Sequence, residues 1–169
     1  MLAAFWRARA AKQPPTRSQI VYRLLAISGV VLLFDRVFPP IDVPLWHWPP
    51  PVQWALAVAS LCGFAFTWWA RIHLGRLWSS NVGRKADHRI VDTGPYAIVR
   101  HPIYTGIIIA SSATAALRAT AGAWIGVVLL TTGWYVKARL EERFLREQLG
   151  PENYDAYARR VPMLIPFAH

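Results

Sequence analysis

Four long apolar stretches, separated by polar segments, dominate the pattern of residues along this chain. They occupy approximately residues 18–38, 52–70, 102–117 and 123–136. An α-helix of about 20 apolar residues can cross a lipid bilayer with all of its backbone polar groups satisfied. The pattern therefore predicts an all-α, polytopic membrane protein with about four transmembrane helices.

The fourth apolar stretch continues into residues 137–149, where apolar and charged residues follow helical spacing. The apolar positions of this extension are Leu140, Phe144, Leu145 and Leu149. The spacing predicts that the fourth helix leaves the membrane as an amphipathic helix. Gly150 and Pro151 predict its end, because Gly commonly follows the last helical residue and Pro cannot continue the helix.

The polar segments differ in character. Residues 1–17 combine Phe5 and Trp6 with cations and predict an interfacial N-terminal segment at the membrane surface. Residues 39–51 are rich in Pro and Trp and predict a rigid loop at the membrane interface. Residues 71–100 are basic, too polar to cross a membrane and too long for a simple connection. The last segment is therefore a candidate functional loop.

Composition and charge refine this interpretation. The 169 residues predict a single domain, 1–169, and 54% of them are hydrophobic. The net charge of +10 comes from basic residues in the N-terminal segment, in 71–100 and after residue 136. The positive-inside rule then places both termini and the 71–100 loop in the cytoplasm, and it explains the charge without a nucleic-acid partner. His73 and His88 lack the spacing of metal ligands, so no metal is predicted.

Residues 88–106 form a polar, aromatic stretch between two apolar ones, punctuated by Gly and Pro. Arg100 and His101 fall where the third helix is predicted to begin, at Pro102. On the predicted topology, this stretch meets residues 137–142 and the C-terminal tail at the cytoplasmic ends of the helices. We predict a pocket there, formed by the 71–100 loop, the helix ends and the tail.

Four separated motifs in this half of the chain resemble a known group of enzymes. The motifs are Gly94-Pro95-Tyr96; Arg100-His101-Pro102-x-Tyr104-x-Gly106; Glu141-Glu142-x-x-Leu145; and a tail with Gly150, Tyr154, Tyr157, Arg160-Val161-Pro162 and Ile165-Pro166. In this order they resemble the isoprenylcysteine carboxyl methyltransferase and phospholipid methyltransferase superfamily of integral membrane enzymes. The resemblance covers residues 74–169, which would form the catalytic half.

The resemblance implies an enzyme that transfers the methyl group of S-adenosylmethionine to a lipophilic acceptor at the cytoplasmic membrane face. The acceptor would be an isoprenylcysteine-type carboxylate, a lipid or a small hydrophobic molecule. The implied cofactor-binding residues are Asn81, His88, Arg89, Ile90, Val91, Tyr96, His101, Pro102, Ile103, Tyr104 and Glu141. The implied catalytic or acceptor-side residues are Arg100, Lys137, Arg139, Glu142 and Arg160. Lys137 stands where the family tends to have Arg.

These residue types suit methyl transfer from a sulfonium, an in-line displacement that depends mainly on desolvation and alignment. Glu141 can bind the polar part of the donor, and the faces of Tyr96 and Tyr104 can attract a sulfonium. A carboxylate acceptor could be held by Arg100 or Arg160. An amine acceptor would need a base, for which His101 or Glu142 would serve.

Other interpretations remain open at this point. Arg100 could anchor a lipid headgroup, His101 could cap the helix that begins at Pro102, and the Glu141-Glu142 pair could lie on a solvated helix face. The motifs around Arg100 and the tail also resemble those of NADPH-dependent membrane reductases of the sterol reductase kind. A non-catalytic membrane scaffold is the third possibility. The oligomeric state is left open.

Overall fold

The computed structural model describes residues 16–34, 39–75 and 90–168, and the regular structure in these ranges is helical. Five α-helices lie in this part of the chain: α1 (Thr16–Phe34), α2 (Pro50–Leu74), α3 (Pro102–Arg118), α4 (Ala121–Leu149) and α5 (Pro151–Arg160). Two short 3₁₀ helices, Pro39–Ile41 and Gly94–Ala97, precede α2 and α3. The predicted all-α class is confirmed.

The helix boundaries follow local chemistry. Helix α2 begins at Pro50, earlier than predicted, because Pro fits a first turn in which no backbone N–H is needed. It also runs past the predicted end, so Arg71 and His73 belong to its last turn and not to the polar loop. The short turn before α4 ends at Thr120, whose hydroxyl accepts a hydrogen bond from the backbone N–H of Ala123.

Helix α4 runs without interruption from Ala121 to Leu149, which confirms the predicted continuation of the fourth apolar stretch. Gly150, at a positive φ of 85°, separates it from α5. Gly tolerates this backbone conformation without steric cost. The break at Gly150 and Pro151 was predicted, whereas the helix that follows it was not.

The helices pack in a fixed spatial order, with α1 against α4, α4 against α3, and α3 against α2. Neighbouring helices are antiparallel. The Trp48 indole, before α2, donates to the carbonyl of Ala116 near the end of α3, and Thr67 near the end of α2 donates to the carbonyl of Ile103 at the start of α3. The end of α2, the start of α3 and the charged part of α4 therefore lie at one end of the bundle.

Glycines allow these helices to approach backbone to backbone. A Cβ on Gly126 of α4 would lie 2.7 Å from the carbonyl oxygen of Gly29 and 2.8 Å from the amide nitrogen of Leu33. A Cβ on Gly63 of α2 would lie 2.7 Å from the carbonyl oxygen of Gly106. Small residues at helix crossings are typical of membrane bundles, in which close packing takes the place of a hydrophobic driving force.

Two helices among the described residues are long and apolar enough to span a membrane, namely residues 17–34 of α1 and the whole of α2. Helix α3 has 17 residues, and the second half of α4 is charged, so neither satisfies the same criterion. The crossing of the membrane by four helices thus stays a prediction. The predicted 1–17 segment lies outside the described residues except for the start of α1.

Gly126→Ala should destabilise the protein, because the new methyl group would meet the backbone of α1. Overpacking of this kind costs about 1–3 kcal/mol, and we expect a lower melting temperature in detergent. Gly122→Ala on the same helix is the matched control, since the nearest atom to its Cβ is the Ile41 carbonyl oxygen at 3.3 Å. Equal melting temperatures for the two variants would contradict the close α1–α4 crossing.

Candidate functional site

The site is built around the start of α3. His101 occupies the N-cap position, but its side chain makes no capping hydrogen bond. The backbone N–H groups of Arg100 and His101 instead donate to the carbonyls of Pro162 and Met163, at 2.8 and 3.1 Å. The interpretation of His101 as a simple helix cap is therefore wrong, and its imidazole is available to the site.

Arg100 is directed into the protein and not toward lipid headgroups. Its Nε donates to Oε1 of Glu142 at 2.7 Å, and the two side chains are only 12% and 11% exposed. Its Nη1 donates to the carbonyls of Ala158 and Val161, at the end of α5 and just after it. The headgroup-anchor interpretation is wrong, because this guanidinium joins α3, α4 and α5.

The two consecutive carboxylates of α4 both face the start of α3. The Tyr104 hydroxyl donates to Oε2 of Glu141 at 2.7 Å, and His101 Nδ1 lies 3.6 Å from the same oxygen. His101 Nε2 lies 3.4 Å from Oε1 of Glu142, within ion-pair range but not in hydrogen-bonding geometry. Lys137 Nζ lies 3.9 Å from Oε1 of Glu141. The carboxylates are thus partnered within the fold and do not form a solvated helix face.

Three rings form a column beside these charges. The rings of His101 and Tyr104 are stacked with centroids 5.3 Å apart, and those of Tyr104 and Trp134 with centroids 4.7 Å apart. The buried Lys137 ammonium lies 5.3 Å from the centroids of Tyr104 and Trp134 and 5.8 Å from that of Tyr22 on α1. Such distances permit cation–π attraction. The column therefore provides aromatic faces that suit a positive charge.

The environment of Glu142 keeps its carboxylate ionised. Burial alone would raise the pKa, but contacts with His101 and with the Arg100 guanidinium outweigh burial and lower the pKa of Glu142 to about 2. A carboxylate with so low a pKa is a weak base. Glu142 is accordingly better suited to holding Arg100 than to removing a proton from an acceptor.

The described part of the 71–100 loop is tied to both α2 and α5. The ring of Tyr96 stacks on His73 with centroids 6.3 Å apart, and its backbone carbonyl accepts a hydrogen bond from the Tyr157 hydroxyl at 2.8 Å. Ile90 packs against the cluster formed by Tyr154, Tyr157 and Val161. Burial raises the pKa of the Tyr157 hydroxyl, which therefore remains a protonated hydrogen-bond donor.

The structure brings together most, but not all, of the residues that the sequence singled out. The residues that meet at one place are Arg100, His101, Tyr104, Lys137, Glu141 and Glu142. Pro102 and Ile103 form the first turn of α3, and the carbonyl of Ile103 accepts from Thr67. Val91 is half-buried, beside Ile90 in the chain.

Two predicted acceptor-side cations are solvent-exposed. The Arg160 side chain is 69% exposed and lies 3.6 Å from Asp92, and Arg139 is exposed on α4. Asn81, His88 and Arg89 lie outside the described residues, so their predicted contacts with the cofactor stay predictions.

Sequence reasoning missed Tyr22 and Trp134 as members of the site. Trp134, Lys137 and Glu141 are spaced three and four residues apart, which places them on one helix face, so helical periodicity could have found Trp134. No local pattern could have found Tyr22, because only the packing of α1 on α4 brings it near Lys137.

Three buried polar atoms at this place have no hydrogen-bond partner among the described residues. They are the Tyr22 hydroxyl, Trp134 Nε1 and His101 Nε2. A buried polar group without a partner costs about 1–3 kcal/mol, and such groups in native proteins commonly mark a place where water or a ligand binds. Together with the carboxylate of Glu141, these groups fit a ligand that carries both positive charge and hydrogen-bonding atoms.

A family model for the isoprenylcysteine carboxyl methyltransferase (ICMT) family matches residues 55–147, which is more than half of the chain. The chain belongs to this family. The match includes α3, most of α2 and nearly all of α4, and therefore both charged motifs of the site. The predicted resemblance is confirmed, as is the expected membrane character.

Individual relatives agree with this assignment. A methanethiol S-methyltransferase of Pseudomonas sp. (strain GM41(2012)) is 30% identical over 90% of this chain and 61% of its own length. A second such protein, from Bradyrhizobium diazoefficiens, is 29% identical over 96% of this chain and 58% of its own length. The chain thus spans about three-fifths of these relatives.

A plant relative shows a shorter similarity. Protein-S-isoprenylcysteine O-methyltransferase B of Arabidopsis thaliana is 30% identical over 52% of this chain and 45% of its own length. The structure of the eukaryotic intramembrane Ras methyltransferase ICMT superposes with a TM-score of 0.58 at 20% identity, covering 93% of this chain and 55% of that one. The latter comparison concerns the fold.

Glu142→Gln should destabilise this family member at neutral pH by about 3 kcal/mol, because it leaves the largely buried guanidinium of Arg100 without its anion. A carboxyl whose pKa is lowered from 4.5 to about 2 contributes stability that is complete above pH 4.5 and is lost as the pH falls toward 2. The difference in unfolding free energy between wild type and variant should therefore shrink below pH 4.5.

The matched control for this measurement is Arg146→Gln, also on α4, which removes an exposed ion pair with Asp155 of α5. Exposed pairs contribute about 0–1 kcal/mol, so this variant should unfold almost like the wild type. An equal effect of the two substitutions at pH 7 would contradict a special role for the Arg100–Glu142 pair.

Proposed function

We propose that the protein is an S-adenosylmethionine-dependent methyltransferase that modifies a small lipophilic acceptor at the cytoplasmic face of the membrane. The observation that carries this proposal is the meeting of His101 and Tyr104 with Glu141 beside an aromatic column. These residues come from the two family motifs in α3 and α4, which are separated by more than 30 positions in the chain.

The residues at the site fit this donor. S-Adenosylmethionine, when bound, would supply an electrophilic methyl group on a sulfonium. Glu141 would bind the ammonium of the donor, and the Tyr104 hydroxyl would hold the Glu141 carboxylate in place. The unpartnered groups of His101, Trp134 and Tyr22 would supply hydrogen bonds to its other polar atoms. The Trp134 ring, at one end of the aromatic column, would attract the positive sulfur.

The rest of the site would align the reactants and exclude water. Arg100 and Glu142 hold the start of α3 against α4, which fixes the positions of His101 and Tyr104. Tyr96 and Tyr157 hold the loop over the same end of the bundle. Alignment and desolvation are the main requirements of a sulfonium displacement, so a rigid, largely buried site suffices without a strong base. Asn81, His88 and Arg89 remain candidate donor contacts.

The acceptor we favour is a small thiol or a comparably small hydrophobic molecule. The similarity to methanethiol S-methyltransferases extends over 90–96% of the chain, whereas that to the plant isoprenylcysteine O-methyltransferase covers 52%. A thiol reacts as its anion after losing its proton to water, and the Lys137 ammonium beside the aromatic column would stabilise that anion. An isoprenylcysteine-type carboxylate is the acceptor to test against it.

We further infer a multi-pass topology in which all four long helices cross the membrane. The antiparallel order of α1 to α4 and the basic residues at one end of the bundle support it. The 17 residues of α3 span about 26 Å at 1.5 Å per residue, close to the hydrocarbon thickness of a bilayer. Both termini and the site would then be cytoplasmic.

Purified protein in detergent should bind labelled S-adenosylmethionine. Glu141→Gln should weaken that binding by about 10- to 100-fold, because it removes the charge that would pair with the donor's ammonium. Tyr104→Phe should weaken it by about tenfold, because the Glu141 carboxylate loses its hydroxyl partner. Glu147→Gln, an exposed carboxylate on the same helix, is the control and should bind normally. Binding of NADPH in place of S-adenosylmethionine would instead identify a reductase.

The acceptor can be identified by presenting the wild-type protein with labelled donor and either methanethiol or a farnesylated cysteine. We expect a volatile labelled thioether from methanethiol and little base-labile methyl ester from the prenylated compound. Methyl ester as the main product would overturn our choice of acceptor and leave the proposed methyl donor intact.

A further inference from the structure

The chain that follows α5 lies along the first turn of α3 in a regular register. Four consecutive backbone carbonyls, those of residues 161–164, accept hydrogen bonds from residues 100–105. The donors, in the order of the carbonyls, are Arg100 Nη1, the Arg100 backbone N–H, the His101 backbone N–H and Thr105 Oγ1. We call residues 161–164 the C-terminal strap.

Thr105 holds the far end of this strap. Its side chain is buried, with 5% of the residue exposed. Oγ1 lies 2.7 Å from the carbonyl oxygen of Leu164 and 3.2 Å from that of His101 in the preceding turn. A hydroxyl has a single proton, and the shorter distance indicates that Leu164 is its main acceptor. Thr105 therefore connects the strap to the helical turn that carries His101 and Tyr104.

The strap also provides hydrogen-bond acceptors for backbone N–H groups that have no acceptor within α3. N–H groups at and before a helix N-terminus have no partner within the helix, and the His101 side chain supplies no cap. The carbonyls of Pro162 and Met163 instead accept from the backbone N–H groups of Arg100 and His101. The position of the His101 ring thus depends on the strap as well as on α3, and Thr105 and Arg100 hold the strap at its two ends.

We propose that Thr105 is a positioning residue for the methyl donor: it keeps the strap docked, the docked strap fixes the turn from His101 to Tyr104, and donor binding and strap docking therefore stabilise each other. This inference rests on the proposed donor site. Coupling of this kind is reciprocal, so the factor by which the donor favours the docked strap equals the factor by which docking favours the donor.

The first test measures the strap directly, by trypsin cleavage after Arg160, an exposed residue that immediately precedes it. Thr105→Val retains the shape of the side chain and removes the hydroxyl. In the absence of donor we expect about tenfold faster cleavage than in wild type, as the loss of one hydrogen bond would give. S-Adenosylmethionine should slow cleavage of the wild type. Thr105→Ser should behave like wild type, and Thr132→Val, which removes a hydroxyl that donates to the Val128 carbonyl within α4, should have no effect.

The second test separates positioning from general damage through steady-state kinetics. Thr105→Val should raise the KM for S-adenosylmethionine about tenfold with little change in kcat, and Thr105→Ser should restore it. Removal of residues 164–169 deletes the Leu164 carbonyl and should raise KM by a similar factor; Met163 becomes the C-terminal carboxylate, which can still accept from the His101 backbone N–H. Thr105→Val made in the truncated chain should then add nothing further, because the two changes remove the same contact.

The outcomes separate the two proposals. The proposed role of Thr105 would be overturned if Thr105→Val had the KM for S-adenosylmethionine and the trypsin cleavage rate of the wild type. It would also be overturned if the effects of Thr105→Val and of the truncation on KM were fully additive in free energy. If the wild-type protein neither binds nor uses S-adenosylmethionine, the proposed function fails, and cleavage of the donor-free variants still decides whether Thr105 holds the strap. If Thr105→Val does not fold, the KM of the truncated chain for S-adenosylmethionine decides the question, because that measurement needs neither the variant nor trypsin cleavage.

Discussion

The largely buried ion pair between Arg100 and Glu142 is the contact on which the charged end of the helix bundle depends. Removal of two charges from water is costly, and the cost is offset only where the remaining hydrogen-bonding groups are also satisfied. Here Nη1 of the Arg100 guanidinium donates to the carbonyls of Ala158 and Val161. One side chain thus determines how α3, α4, α5 and the strap meet, and it does so with an anion whose low pKa keeps it charged.

The same constraint decides what the neighbouring groups can do. With Glu142 committed to Arg100, Glu141 is the carboxylate that faces the aromatic column, through Tyr104. Two adjacent carboxylates on one helix therefore have different partners: Glu142 pairs with Arg100, and Glu141 accepts from Tyr104 beside the aromatic column. Such a division suits methyl transfer, which needs a fixed and partly desolvated site more than it needs a base.

Farther along the bundle, the crossing of α1 on α4 at Gly29 and Gly126 has a consequence for the site. Because the two backbones touch there, α1 is held close enough for Tyr22 to reach the Lys137 ammonium. Helix α1 lies outside residues 55–147, which the family model covers. One side of the candidate site thus comes from a helix outside the range that the family model covers.

Much of the fold and part of the site followed from the sequence alone. Apolar runs determine where long helices form, and Gly150 with Pro151 determines where α4 ends, because these effects act within a few residues. Through the family resemblance, the motifs around His101 and Glu141 predicted that the start of α3 and the charged part of α4 lie together, and the structure places them together. Trp134 was within reach of the same reasoning, since helical spacing relates it to Lys137.

Only the tertiary structure decided the partners. Arg100, expected to face an acceptor, is engaged with Glu142 and with two carbonyls of the tail, and Arg160 lies on the surface beside Asp92. Tyr22 and Thr105 gained their roles from residues more than 50 positions away. Local periodicity specifies which residues share a helix face, but the rotation and register of one helix against another are set by packing over the whole bundle. That packing determines which charged side chains form ion pairs.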